Sequence, residues 1–308
     1  MLMMNLASMM LSWSVLIGLA GSGPSEESRV LPGPVSPPAE PQFSGPSEAG
    51  PAERAEQADT EDANRDGEGN AEGAETAEEL LERLEEAAGD LHTFTAEIIY
   101  ENWDDFLERR EIRQGEIIYQ IDPDTDAKNF AILFESLTIN QRRQTRLRHY
   151  VFRDRWLAEI DHEAKQFIKR ELVPPGRQLD PLKLGEGPVP LPIGQPKDEV
   201  LKRFEVSLID PPGDELPLLR GLENVDGLRL VPREGTPEAK EYRRIELYYD
   251  RKTNLPVGIN VIEINDDRKT VRLGNLQRNP ELTDTQTAKL SIDEPDPRDW
   301  SIDIRPLG

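Results

Sequence analysis

From Phe94 onward, apolar residues return every second position in one segment after another, and almost no helical pattern falls between the segments. Phe94, Ala96, Ile98 and Tyr100 alternate with polar neighbours, the signature of a half-buried strand. Further strand segments are predicted at 108–121, 129–139, 146–153, 155–161 and 165–173, then at 204–210, 226–233, 242–250, 255–265 and 268–277, with a last one around Trp300 and Ile302. Short connections separate them. Asp122-Pro123-Asp124, Asp154, Asp250 to Asn254 and Asn265-Asp266-Asp267 carry turn chemistry. Two longer loops rich in Pro and Gly lie at 174–196 and around Pro211, Pro212 and Gly213. With so few helices between strands, a parallel βαβ architecture is disfavoured. The expected fold is α+β: a curved antiparallel sheet of roughly ten strands forming an incomplete, half-open barrel covered by a few helices.

Helical periodicity is confined to short stretches. Leu80, Leu81, Leu84, Ala87, Ala88 and Leu91 recur at helical spacing. Thr76 stands three residues before Glu79 in a capping-box pattern, and Gly89 suits the C-cap. A short helix is expected at about 197–204.

The N-terminal quarter is of another kind. Residues 1–23 contain no charged side chain; an apolar core from Met9 to Ala20 followed by small residues reads as a secretory signal, although no Lys or Arg precedes it. The run is short for a membrane span, which takes ~20 apolar residues. Pro24 to Thr76 is dominated by Pro, Gly, Ala, Ser and Glu, with Phe43 its only aromatic. Such composition does not repay the entropy of ordering, so an acidic disordered linker is expected. The predicted organisation is a signal peptide at 1–23, a linker at 24–76 and one folded domain at 77–308, exported to the periplasm.

Composition limits the chemistry. The chain has a formal net charge of −23, which disfavours nucleic acid as a partner. With no Cys there is no disulfide, no thiolate nucleophile and no lipid attachment at a cysteine. The three histidines are dispersed: His92 follows the first helix, His149 sits among arginines, and His162 lies in a charged turn. No nucleophile elbow, zinc-protease helix, phosphate-binding loop or EF-hand loop is present. No catalytic residue, metal site or cofactor is therefore expected. Arg142, Arg143, Arg146 and Arg148 form a basic cluster, expected to pair across strands with the surplus of Asp and Glu. The aromatic residues concentrated on the early strands, Phe94, Tyr100, Phe130, Phe134, Tyr150, Phe152 and Trp156, are candidates to line an apolar ligand cavity.

The strand order resembles that of the periplasmic lipoprotein carrier LolA and the wider LolA-like group of outer-membrane lipoprotein-sorting proteins. Four stretches carry the likeness: LHTFTAEI (91–98) after the opening helix, HYVFRDRWLAEIDHEAKQFIKREL (149–172), GLRLVPRE (227–234), and the hairpin series of 243–282. The resemblance implies an apolar cavity for acyl chains inside the half-barrel, no catalysis and no cofactor. It also implies a monomer with the acyl chain of a lipoprotein or other lipid as ligand, and an inner-membrane transporter and outer-membrane acceptor as partners. Where the carriers have Lys-Arg-Pro-x-x-Phe, with an Arg that helps to close the cavity, this chain reads DAKNF (126–130), leaving Lys128 as the polar candidate at the cavity mouth. The Pro-rich insert at 174–196 and the acidic linker are additions to the carrier pattern. They support an alternative in which the domain is a scaffold that docks a protein partner through one of them.

Overall fold

The computed structural model describes residues 75–176 and 192–307. The segment expected to be a signal peptide (1–23), nearly all of the segment expected to be a linker (24–76) and most of the Pro-rich 174–196 stretch lie outside the described residues. Twelve strands build one sheet: β1 (Thr93–Asp104), β2 (Arg109–Ile121), β3 (Lys128–Ile139), β4 (Arg142–Arg153), β5 (Trp156–Asp161), β6 (Gln166–Glu171), β7 (Phe204–Ile209), β8 (Val225–Pro232), β9 (Tyr242–Asp250), β10 (Pro256–Glu263), β11 (Arg268–Arg278) and β12 (Ser301–Arg305). Their order across the sheet is β12-β6-β5-β4-β3-β2-β1-β11-β10-β9-β8-β7. Pairing is antiparallel except at one edge, where β12 runs parallel to β6 with Ile302 opposite Phe167. The terminal strands β12 and β7 do not pair with each other, so the barrel stays open.

The turns follow the chemistry of their residues. Asp122 accepts the N–H groups of Asp124 and Thr125, and Asp250 those of Lys252 and Thr253. Asp126, Asp154, Asn254 and Asp266 take positive φ, a conformation that Asp and Asn tolerate better than bulkier residues. Irregularities in the ladder bend the sheet. At one of them, between Gln114 and Gly115, the backbone of Leu133 approaches so closely that only glycine fits.

Two helices cover the concave face. α1 (Ala77–Ala88) begins with the expected capping box, in which Thr76 and Glu79 satisfy each other's backbone N–H, and Gly89 closes it. It turns Leu80, Leu81 and Leu84 into the core. α2 (Lys197–Arg203) adds Val200, and Phe204 follows at the start of β7.

The convex face departs from simple alternation. Ile118, Ala131 and Val151 point outward yet are buried beneath Leu282, Leu290 and Ile292. Ala158, Ile160 and Phe167 are covered by Ile292, Trp300 and Ile302. The chain after β11, including α3 (Asp284–Lys289), is thus a strap across the outside of the sheet. A second outer patch, Val225, Tyr248 and Val257, lies under Leu216 and Leu219. Of the basic cluster, Arg146 and Arg148 reach across to Asp161 at 2.8 and 2.5 Å.

Candidate functional site: the concave face

Register aligns the alternating residues of neighbouring strands on the concave side. Phe94 stands opposite Tyr119, Tyr119 opposite Phe130, and Phe130 opposite Phe152. Six of the seven aromatic candidates, Phe94, Tyr100, Phe130, Phe134, Tyr150 and Phe152, fall in one buried cluster. Phe130 stacks on Phe152 at 5.9 Å between centroids, and Phe134 meets Tyr150 edge-on at 6.2 Å and Tyr100 at 6.3 Å. Burial pushes the phenols of Tyr100 and Tyr150 to higher pKa.

The structure does not bring Trp156 to this group. Phe152 pairs with Leu157 across the β4–β5 hairpin, so Leu157 faces inward and Trp156 outward, where Arg155 and Lys169 lie over its ring. Lys128 is half-buried at the start of β3, opposite Ile121, and alternation sets it on the same face as Phe130.

The other half of the apolar floor comes from later strands that the aromatic count passes over. Leu228, Leu230, Ile245, Leu247, Ile259, Val261, Val271 and Leu273 belong to the same cluster. Their period-two spacing in β8 to β11 is the signal that marks them. Leu81 and Leu84 of α1, Val200 of α2 and Ile193 at the end of the insert lie against this floor. Between them and Leu230, Leu247 and Tyr249 remains a cavity of about 20 Å³, room for about one water molecule. The Tyr249 hydroxyl donates to the Pro192 carbonyl at 3.0 Å and ties the end of the insert to β9.

Polar contacts hold α1 in place around its rim. Arg83 donates to Asp226 at 2.6 Å and to Asn254, Lys197 to Glu82 at 2.8 Å, and Arg278 to Asp90 and the Ala87 carbonyl. A groove of about 730 Å³ alongside β7, β8 and β9 is lined by Asp210, Glu215, Asp226, Arg229 and Arg251 together with Leu208. Its lining mixes these charged groups with Leu80, Ile209, Val225 and Tyr248, unlike the apolar concave floor.

Towards the hairpin end the concave face becomes ionic. Arg170 pairs with Glu159 at 2.5 Å, and Lys269 with Glu263. Burial opposes the Asp161 carboxylate, but the Ala164 N–H and the guanidiniums of Arg146 and Arg148 outweigh it and hold its pKa well below the usual range. Among the described residues no three His, Asp or Glu side chains converge to hold a metal ion. No helix among them is long and apolar enough to cross a membrane.

No family model matches the chain, and no curated protein does. Among solved structures it is similar to the MucA/MucB complex of Pseudomonas aeruginosa, at 17% identity over 70% of this chain and 61% of that one, with a TM-score of 0.40. It is similar to an uncharacterised conserved protein of Thermus thermophilus at 12% identity, over 74% of this chain and 99% of that chain, with a TM-score of 0.39. A LolA-superfamily protein of Nitrosomonas europaea is matched at 10% identity over 69% of this chain and 97% of that one, with a TM-score of 0.28. The chain spans about three fifths of the length of the MucB chains it matches.

Proposed function

We propose that the protein is a non-catalytic binder of acyl chains, acting in the cell envelope on a lipid or the lipid moiety of a lipoprotein. One observation carries this reading: the concave face is a continuous apolar floor contributed by both halves of the sheet and covered by two short helices rather than closed by strand pairing. A floor of this kind is open to a ligand once the helices move. Each methylene removed from water contributes ~0.8 kcal/mol, so one long chain supplies several kcal/mol before ordering costs. On this reading α1 and α2 are a lid in its closed position, and Leu81, Leu84 and Val200 cover part of the floor along which a ligand would lie. Transfer from an inner-membrane donor to an outer-membrane acceptor, and action as a monomer after export, belong to the same proposal.

A second reading has its own support. Ligand pockets commonly measure ~300–1,000 Å³, whereas the space beneath the helices is about 20 Å³. A core packed this closely also suits a scaffold that binds a protein partner.

Titration of the full chain with a fluorescent long-chain fatty acid separates the two. Acyl binding predicts saturable 1:1 binding, displaced by unlabelled long-chain lipid and not by short-chain acids. Absence of saturable binding at tens of micromolar probe would overturn it in favour of the scaffold.

A further inference from the structure

The concave face ends in a buried cation that its neighbours do not satisfy. Arg113 of β2 is 5% exposed, and its position in the register sets it opposite Tyr100 on one side and Leu137 on the other. Its Nη2 lies 3.5 Å from Glu111 Oε2, and its buried Nη1 has no hydrogen-bond partner among the described residues. Charge-assisted pairs normally close to ~2.7–2.9 Å. Glu111 is moreover shared with Arg109 at 3.3 Å. Farther along the same face Arg148 and Arg170 pair tightly with Asp161 and Glu159, each at 2.5 Å, whereas Arg109, like Arg113, leaves a buried nitrogen without a partner among the described residues. Burial of a guanidinium is costly without a matched anion, and here it lowers the pKa of Arg113.

Arg113 also stands at one end of the apolar floor. From the level of Arg113 and Tyr100 to that of Tyr119 and Phe94 is six residues along β2, or about 20 Å at ~3.3 Å per residue. The rings of Tyr100, Phe134 and Tyr150 connect the two levels. Binding of an extended chain along this floor brings its terminal group to the guanidinium.

We propose that the ligand is an anionic amphiphile, its carboxylate or phosphate received by the Arg113 guanidinium and its acyl chain laid along the floor towards Phe130 and Phe152. The proposal rests on the acyl-binding reading and adds the polar group that reading leaves open. A planar guanidinium whose Nη1 has no partner can donate to two oxygens of one anion, a geometry that an ester or alcohol does not reproduce.

The test compares palmitic acid with its methyl ester and with cetyl alcohol on the full chain, in wild type, Arg113→Gln and Arg113→Lys, with inorganic phosphate and acetate titrated separately. The expected result is that wild type binds the acid ten- to a hundredfold more tightly than the ester or alcohol. Arg113→Gln loses that preference while retaining ester binding, and Arg113→Lys keeps part of it. A thermal melt of each variant checks that it folds; should Arg113→Gln fail to fold, the wild-type comparison and Arg113→Lys still decide. Equal binding of acid and ester by wild type overturns the headgroup assignment and leaves the acyl reading standing. Binding of neither lipid overturns the acyl reading itself. Saturable binding of free phosphate or acetate in an Arg113-dependent manner, without lipid binding, makes this a small-anion site and overturns the amphiphile.

Discussion

Replacing Leu84 with Ala separates a lid from a packed core. Leu84 is buried on α1 and borders the residual cavity with Val200, Leu230 and Leu247. Truncating a buried leucine costs ~2.7–5 kcal/mol, and the cost is largest where the surroundings do not collapse. The sheet beneath Leu84 is held by its own ladders, so about 3 kcal/mol is a reasonable cost here. If α1 leaves the sheet as a unit, nearly all of this falls on the closed state. The open population then rises on the order of 100-fold, and the apparent Kd for a ligand of the open state falls by the same factor until opening ceases to limit binding. The assay is a fluorescent fatty-acid titration of wild-type and Leu84→Ala full-length protein beside a thermal melt of each. The account predicts a lower Tm together with tighter acyl binding. A lower Tm with unchanged or weaker binding would refute the lid, because the helix would then stabilise the core without guarding a site.

Two further expectations rest on the sheet. Gly115→Ala places a Cβ 1.9 Å from the Leu133 carbonyl oxygen, and the loss of about 3 kcal/mol or more is read by urea unfolding; a loss below ~1 kcal/mol would mean that the two strands separate easily there. For His149, burial pushes the imidazole pKa down from 6.5 to about 4, and the charge of His162 adds to the effect. The unfolded chain therefore binds a proton in this window that the folded chain does not, so the contribution is full above pH 6.5 and is lost as the pH falls towards 4. The loss amounts to at most about 3 kcal/mol. Urea melts at pH 7 and pH 4.5 are expected to show a smaller pH dependence in His149→Gln than in wild type; equal slopes contradict the assignment.

Much of the sheet is legible because alternation, turn residues and register agree with one another. The strand expected at 242–250 is β9, Tyr242–Asp250, and the helix expected after Thr76 starts there with the predicted capping box. Turn residues at Asp122, Asp154 and Asp250 end strands where Asp chemistry suggests. What alternation does not carry is which parts of the outer face are also covered. Ile118, Ala131 and Val151 follow buried concave neighbours and look like a fault in the period until the strap after β11 folds over them. The parallel pairing of β12 depends on the same long-range return of the chain. Trp156 shows the limit of counting aromatics: a single-residue phase, set by the tight β4–β5 turn, decides which face a side chain takes. Arg113 is equally hidden in sequence, since it lies among other charged residues of the strand expected at 108–121, and only the register sets Tyr100 and Leu137 on either side of it.

The account stands most directly on whether the full-length protein carries lipid when taken from cells. Native mass spectrometry of the chain, purified from the cell envelope without detergent, is predicted to show a discrete mass excess that extracts into organic solvent and is recovered as an acyl-containing anion. A clean apo mass that also fails to shift on addition of long-chain fatty acid would contradict the central claim and move the search to protein partners.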